Sequence, residues 1–89
     1  MSTIKEITEA EAFKLAKNET TFPVISKEED EATESAVTLK KFPTGYVLGV
    51  SCDTVAVFKL FYSENFEEIN QLCNHYTNIL RTKGNPFAT

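Results

Sequence analysis

The sequence has no tryptophan, one histidine, two cysteines and three glycines, and these scarcities argue against several classes of protein. Two cysteines do not make a disulfide framework, so Cys52 and Cys73 are expected to be free thiols buried as small hydrophobic side chains. The set Cys52, Asp53, Cys73 and His75 lacks the C-x-x-C and H-x-x-x-H spacings of metal sites. None of the glycines forms a phosphate-binding loop. No metal ion and no cofactor are therefore expected.

Catalytic chemistry has little support in this sequence. His75 is placed about 110° from the centre of the apolar face of the last predicted helix, at its edge or in solvent. Cys73 is two residues away, and side chains at that spacing do not face each other on a helix. A nucleophile pair of these two residues is geometrically poor, so no catalytic residue is assigned. An enzyme that uses His75 with a cysteine is the least favoured hypothesis.

Long apolar runs and basic stripes are also missing. No stretch approaches the roughly 20 apolar residues that span a bilayer. The segment Met1 to Glu6 has one lysine and no apolar core, so no secretory signal is expected. We therefore expect a cytoplasmic chain with no membrane partner and free thiols. Lysine and arginine form no stripe, so direct binding of nucleic acid is not expected.

What remains is typical of one small globular domain over residues 1–89. Hydrophobic residues make up 42% and charged residues 25% of the chain, which argues against disorder over most of its length. A domain of 89 residues has a thin core, so its seven Phe and three Tyr must supply much of the packing.

The net charge of −4 is concentrated in one segment, residues 27–34, which reads KEEDEATE. We predict an acidic surface loop there. Its carboxylates have few cationic neighbours in sequence and are expected to gain little from folding. The segment is a solvated connector, an electrostatic handle for a basic protein partner, or a short mimic of nucleic-acid charge. The candidate partner-binding residues are Glu28, Glu29, Asp30, Glu31 and Glu34.

A first helix is predicted from the capping box Thr8-Glu9-Ala10-Glu11, in which the two outer side chains each accept a hydrogen bond from the other residue's amide. The helix is about ten residues long and should stop within residues 18–21. Residues 21–25 are β-prone but contain Pro23, which cannot donate to a ladder, so they form an edge strand or an extended segment.

From Ser35 the apolar period changes to two, which predicts antiparallel strands at residues 35–42, 46–51 and 54–62. Pro43-Thr44-Gly45 is predicted to be a turn in which the glycine takes a positive φ. Cys52-Asp53 is predicted to be a tight turn. Gly49 lies in the middle of a strand and marks a bulge or a close packing contact.

The last helix has the clearest pattern. Ser63 or Asn65 is expected to cap its start, Gly84 to cap its end, and Pro86 to prevent its continuation. Residues 85–89 are then a tail. The predicted buried face consists of Phe66, Ile69, Leu72, Cys73, Tyr76, Ile79 and Leu80.

Together these elements predict an α+β fold: a three-stranded antiparallel meander, with a candidate short fourth edge strand, flanked by an N-terminal and a C-terminal helix. This element order resembles in outline that of double-stranded-RNA-binding domains. Those domains bind through basic helix-end residues. The last helix here opens with Glu64, Glu67 and Glu68, so the resemblance implies no shared site residue.

Both faces of the predicted strand 54–62 are largely apolar. Thr54, Ala56, Phe58, Leu60 and Tyr62 point one way, and Val55, Val57, Lys59 and Phe61 point the other. A three-stranded sheet covered by one helix should have a polar second face. That face must therefore be covered by the first helix and the Phe22 segment, or by another molecule, as in a homodimer. The candidate interface residues are Tyr46, Val55, Val57, Phe61 and Tyr62.

The favoured hypothesis is a non-catalytic interaction protein, an adaptor or a small inhibitor, that contacts an unidentified protein partner through the acidic loop and the sheet surface. An alternative is a small-ligand-binding homo-oligomer with an inter-subunit pocket lined by Tyr46, Phe61 or Tyr62. A further alternative rests on size and charge alone. It is a small phage-type inhibitor of a nucleic-acid-binding protein.

Overall fold

The computed structural model describes residues 2–88, which form one five-stranded antiparallel sheet and two α-helices. The elements are β1 (Lys5–Ile7), α1 (Glu9–Leu15), β2 (Val24–Asp30), β3 (Ser35–Lys41), β4 (Tyr46–Cys52), β5 (Val57–Ser63) and α2 (Phe66–Lys83). The strand order is β1-β5-β4-β3-β2, so β1 and β2 form the two edges. The α+β class and the meander of β3, β4 and β5 are confirmed. The sheet has five strands. β2 is an edge strand that overlaps the candidate fourth strand predicted at residues 21–25, but it begins at Val24 and continues to Asp30, and β1 was not predicted.

β1 is a strand that the sequence pattern did not predict. Its three residues pair antiparallel with β5, where Glu6 lies opposite Phe61. Three residues are too few to show an alternating pattern. Contacts with a distant part of the chain hold this segment, because the Thr3 amide donates to the Glu68 carboxylate on α2 at 2.7 Å.

The acidic segment is the second half of β2 followed by a tight turn, so the prediction of a loop over residues 27–34 is wrong. β2 pairs with β3 as far as Asp30, whose Oδ1 atom accepts from the amides of Ala32 and Thr33 at 2.9 and 3.3 Å. Glu34 completes the turn at a φ of 52°. Charged side chains are tolerated on both sides of this strand because it lies at the edge of the sheet.

α1 begins with the predicted capping box. Thr8 Oγ1 accepts from the Glu11 amide at 3.1 Å, and Glu11 Oε1 accepts from the Thr8 amide at 3.0 Å. The helix has seven residues and is shorter than predicted. It ends because Lys17 and Asn18 adopt φ angles of 50° and 68°, outside the right-handed helical region.

The connections within the meander differ from prediction in two details. The turn before Gly45 is present, but Gly45 does not have a positive φ. It is required for space, because a Cβ atom there would lie 2.7 Å from the Tyr62 hydroxyl and 2.8 Å from the Ser63 carbonyl oxygen. The predicted tight turn at Cys52-Asp53 is wrong. A short 3-10 turn, Asp53–Val55, and Ala56 at a φ of 54° join β4 to β5.

α2 covers one face of the sheet and forms the main core with it. Asn65 caps its start and Gly84, at a φ of 70°, caps its end, as predicted. The predicted apolar face is correct except at its start, since Phe66 is exposed. Leu72 and Tyr76 are half-buried against the core, and Thr77, which was not predicted, is buried. The buried core residues are Val37, Leu39, Leu48, Val50, Phe61, Ile69, Cys73 and Leu80.

Residues 85–88 pack against the domain, so the prediction of a tail is wrong for this part of the chain. Pro86 is fully buried. The Phe87 ring contacts the Tyr76 ring edge-on at a centroid distance of 5.9 Å. Asn85 folds the backbone back by accepting from the Phe87 amide at 2.8 Å. Thr89, the last residue of the predicted tail, lies outside the described residues.

Candidate functional site

The sheet face opposite α2, called the open face below, is the candidate site. Strand pairing places alternate side chains of all five strands on it. The residues of the open face are Lys5, Ile7, Val24, Lys27, Glu29, Ala36, Thr38, Lys40, Val47, Gly49, Ser51, Phe58, Leu60 and Tyr62.

One end of the open face is covered by the chain itself. Phe22 stacks on Phe42 with parallel rings 4.0 Å apart. Ala16, at the end of α1, is buried with Phe42 and Val47. One expected cover for the second apolar face of β5 is the chain itself. These contacts cover only part of that face.

The rest of the open face is a groove of about 400 Å³. Its floor lies on β3 and β4 and consists of small side chains at Ala36, Thr38, Gly49 and Ser51. Larger side chains on the two strands that flank them, β2 and β5, form its two sides. Phe58 and Leu60 stand on β5, and Val24 and Lys27 stand on β2. The face is concave because small residues occupy its middle and large residues its margins.

Two apolar side chains at the margins of the groove are widely exposed. Phe58 and Val24 each keep 53% of their surface accessible. The antiparallel sheets that face water on one side usually carry polar residues there. Gly49 deepens the groove between these margins and causes no bulge, because the pairing of β4 with both neighbours is continuous there.

Positive charge lines the β2 and β3 side of the groove. Lys27 bonds to Glu29 at 2.8 Å. Lys40 also lines the groove and forms no ion pair with any of the residues that the structure describes. The opposite side, formed by Phe58 and Leu60, carries no charge. Because Glu29 neutralises Lys27, the net positive charge of this side is that of Lys40, and the opposite side is apolar.

The structure distributes the five predicted partner-binding carboxylates over different places. Glu28 and Asp30 lie on the α2 side of β2, and Glu29 lies on the open face. Glu31 and Glu34 are exposed in the turn that follows. This turn borders the open end of the groove, since β3 begins at the next residue and its second residue, Ala36, belongs to the groove floor.

Two of these carboxylates have cationic partners, contrary to expectation. Arg81 on α2 donates to Glu28 at 3.0 Å, and Glu29 pairs with Lys27. The hydrogen bond from Arg81 lowers the pKa of Glu28. Partial desolvation opposes this shift and the charge of Arg81 adds to it. The acidic segment is therefore attached to the fold at several points.

The turn itself is bonded to two other parts of the molecule. The Thr33 hydroxyl donates to the Gly84 carbonyl at the end of α2 at 2.7 Å. The Thr33 carbonyl accepts from the Thr54 hydroxyl at 2.9 Å. The Asp53 amide donates to the Glu34 carbonyl at 3.2 Å. Glu31 and Glu34 are thus presented on a turn whose backbone is fixed on both sides.

The five candidate interface residues do not share a surface. Tyr46, Val57 and Phe61 lie on the α2 side, and Phe61 is only 9% exposed within the core. Tyr62 lies on the open face, and Val55 lies in the 3-10 turn. Phe58, the most exposed residue of the groove margin on β5, was not among them. The alternation of β5 predicts that Phe58 and Leu60 share a face. The exposure of Phe58 depends on its small neighbours in β4, and the alternation of β5 alone does not identify those neighbours.

The reactive side chains lie away from the groove. Cys52 and Cys73 are free and buried, and His75 is exposed on α2, as predicted. Within residues 2–88, no three His, Cys, Asp or Glu side chains are grouped in a way that could hold a metal ion. Neither helix in this part of the chain is long and apolar enough to cross a bilayer.

Comparisons with protein-family models, curated proteins and solved structures give no match to this chain. The groove, its charges and the exposed turn beside it are thus the observations from which a function is inferred.

Proposed function

We propose that this chain is a non-catalytic interaction protein, an adaptor or a small inhibitor, that binds a protein partner in the groove of its open face. The observation that carries the proposal is the groove itself, where Phe58 and Val24 are half-exposed around a floor that includes Gly49. Contiguous exposed apolar surface with a polar rim is typical of interaction sites. The burial of both thiols, with His75 on the opposite side of the sheet, supports a role in binding rather than in catalysis.

The acidic turn has a secondary role in this proposal. Glu31 and Glu34 are exposed at the open end of the groove, where they attract a partner with basic residues beside its docking surface. Exposed rim charges change the association rate more than the dissociation rate. Replacing both residues by Gln should therefore slow association and reduce its dependence on salt, with little change in dissociation, as surface plasmon resonance would show.

We also propose that the protein acts in the cytoplasm. The support is chemical, since Cys52 and Cys73 are unpaired in the folded chain. Free buried thiols are ordinary in a reducing compartment, and secreted domains of this size more often contain disulfides.

The proposal is tested by capture from the native host with two matched variants. Phe58→Glu places a charge in the groove, and Phe66→Glu places the same charge at a residue that is 38% exposed on the α2 side. Quantitative mass spectrometry should find a protein that the wild type and Phe66→Glu retain and that Phe58→Glu loses. If every captured protein is retained equally by both variants, the groove is not the binding site.

A second candidate function is binding of a small apolar anion, with a second copy of the chain closing the open side of the groove. The volume of about 400 Å³ favours it, since it falls within the range of roughly 300–1,000 Å³ of ligand pockets. A thermal-shift screen with a set of metabolites separates the two candidates, because only this one predicts stabilisation by a small molecule.

The structure gives less support to an inhibitor that imitates nucleic acid. Duplex DNA presents closely spaced, uncompensated negative charges. Here Glu28 and Glu29 are each paired with a cation. Asp30 accepts hydrogen bonds from the turn. Glu31 and Glu34 are left as exposed charges, and two carboxylates imitate very little of a phosphate backbone.

A further inference from the structure

We infer that the segment bound in the groove is an amphipathic α-helix of the partner with acidic residues along one flank. This inference rests on the proposed function and specifies the chemistry of the partner. Three features of the open face lead to it: the spacing of the groove margins, the pairing of the strands that form its floor, and the position of its lysines.

The spacing of the margins matches one helix. β2 and β5 are separated by three strand spacings, or about 14 Å, and a helix with its side chains is about 10–12 Å across. The small side chains of Ala36, Gly49 and Ser51 allow its backbone to approach the sheet closely. Along β3 the open floor runs from Ala36 to Thr38, about 7 Å, which is the rise of roughly one helical turn.

The pairing of the floor strands favours a helix over an extended peptide. β3 is paired with β2 and β4, and β4 with β3 and β5, so neither floor strand has a free edge. An extended peptide lying on this face would find no backbone partners there, and its own amides and carbonyls would be buried without hydrogen bonds. A helix satisfies those groups internally and needs only an apolar surface to pack against.

The charges orient the helix and define its composition. Lys27 and Lys40 line the β2 and β3 side of the groove, and Lys40 has no carboxylate partner among the described residues. A partner helix with Asp or Glu on the flank facing Lys40 therefore neutralises this lysine, which lies on β3 at the β2 side of the groove. Its other flank contacts Phe58 and Leu60 and should be apolar. The required pattern is apolar residues at three- and four-residue steps beside a row of acids.

The experiment is a selection from a display library of random peptides of about 16 residues, long enough for four helical turns. The full chain is the target, and the Gly49→Val variant is used for counter-selection. The variant fills the floor of the groove, yet a Cβ atom at Gly49 meets only an ordinary contact, 3.6 Å from Leu60 Cδ2. Enriched peptides should show the helical apolar spacing and an acidic flank. Their affinity should fall at least about tenfold for Gly49→Val and for Lys40→Glu, and remain unchanged for the control Phe66→Glu.

Several results would overturn the inference. These are peptides with period-two alternation, peptides with a basic flank, and a selection that returns no peptide whose binding depends on Gly49. Light scattering that shows a dimer of the 10.0 kDa chain, abolished by Gly49→Val, would identify a second copy as the occupant and also exclude the partner helix. The proposed function has a separate test. It is contradicted if the Phe58→Glu variant captures the same host proteins as the wild type.

Discussion

Gly49 on β4 lies opposite Leu60 on β5, and a Cβ atom added to Gly49 would lie 3.6 Å from Leu60 Cδ2. That distance is an ordinary van der Waals contact, so the fold has room for a Cβ atom at a position that has none. Glycine in a strand interior destabilises the strand, whereas valine has a high propensity for strands. We expect Gly49→Val to raise the free energy of unfolding by about 0.5–1 kcal/mol, as measured by urea denaturation. A loss of stability would show that the floor of the groove is structurally constrained.

Gly45, in the turn that precedes β4, provides the opposite case. A Cβ atom there would lie 2.8 Å from the Ser63 carbonyl oxygen, a backbone atom that cannot rotate away. We expect Gly45→Ala to lower the free energy of unfolding by about 1–3 kcal/mol, because the turn and β5 must separate. The same denaturation measurement applied to Gly49→Ala is the control. Equal changes in the free energy of unfolding for the two alanine substitutions would contradict the claim that only Gly45 lacks space for a Cβ atom.

The helical phase of α2 predicts unequal costs for truncations along it. Ile69 is fully buried, and Leu72 is half-buried at the flank of the helix. Ile69→Ala should destabilise the domain by about 2–5 kcal/mol, whereas Leu72→Ala should cost less. His75→Ala should change stability by less than about 0.5 kcal/mol, because the side chain is exposed. Three variants with the same midpoint of thermal unfolding would show that the phase is wrong.

Sequence patterns predicted the elements whose signals are local. The capping box at Thr8 and the glycine cap at Gly84 were correct, because each depends on a few neighbouring residues. β1 was missed because its three residues are held by distant contacts, among them the bond from Thr3 to Glu68. The charge of the acidic half of β2 predicts a solvated loop, but an edge strand accepts charged side chains on both of its faces.

The groove was not predictable from the sequence, for a related reason. It depends on the register of β3, β4 and β5, which places Ala36, Gly49 and Phe58 on one face. The sequence showed that β5 is apolar on both sides, but not which side the longer helix covers. Phe61 was therefore assigned to an interface although it lies under α2. The substitution Phe61→Asp should now unfold the domain rather than separate subunits.

Stability at acidic pH should depend on Glu68. This carboxylate accepts from the Thr3 amide at 2.7 Å, and that hydrogen bond is the largest cause that lowers the pKa of Glu68. Because the folded state holds the proton less tightly than the unfolded state, the stabilisation is present above the ordinary glutamate pKa. It is lost as the pH falls through the lowered folded value. When the urea midpoint of unfolding is plotted against pH, Glu68→Gln should reduce the fall of the midpoint at acidic pH. Glu67→Gln, at the neighbouring exposed position, is the control and should leave that fall unchanged.

The central claim is that the open face binds a protein partner, and the dissociation constant of the captured partner tests it most directly. Calorimetry measures this constant for the wild type and for three variants whose free energies of unfolding are measured separately. Gly49→Val fills the groove, Phe58→Glu adds a charge to it, and the control Phe66→Glu adds the same charge on the α2 side. We predict that Gly49→Val and Phe58→Glu each weaken binding at least about tenfold, and that Phe66→Glu binds like the wild type. Equal dissociation constants for all four proteins would contradict the claim.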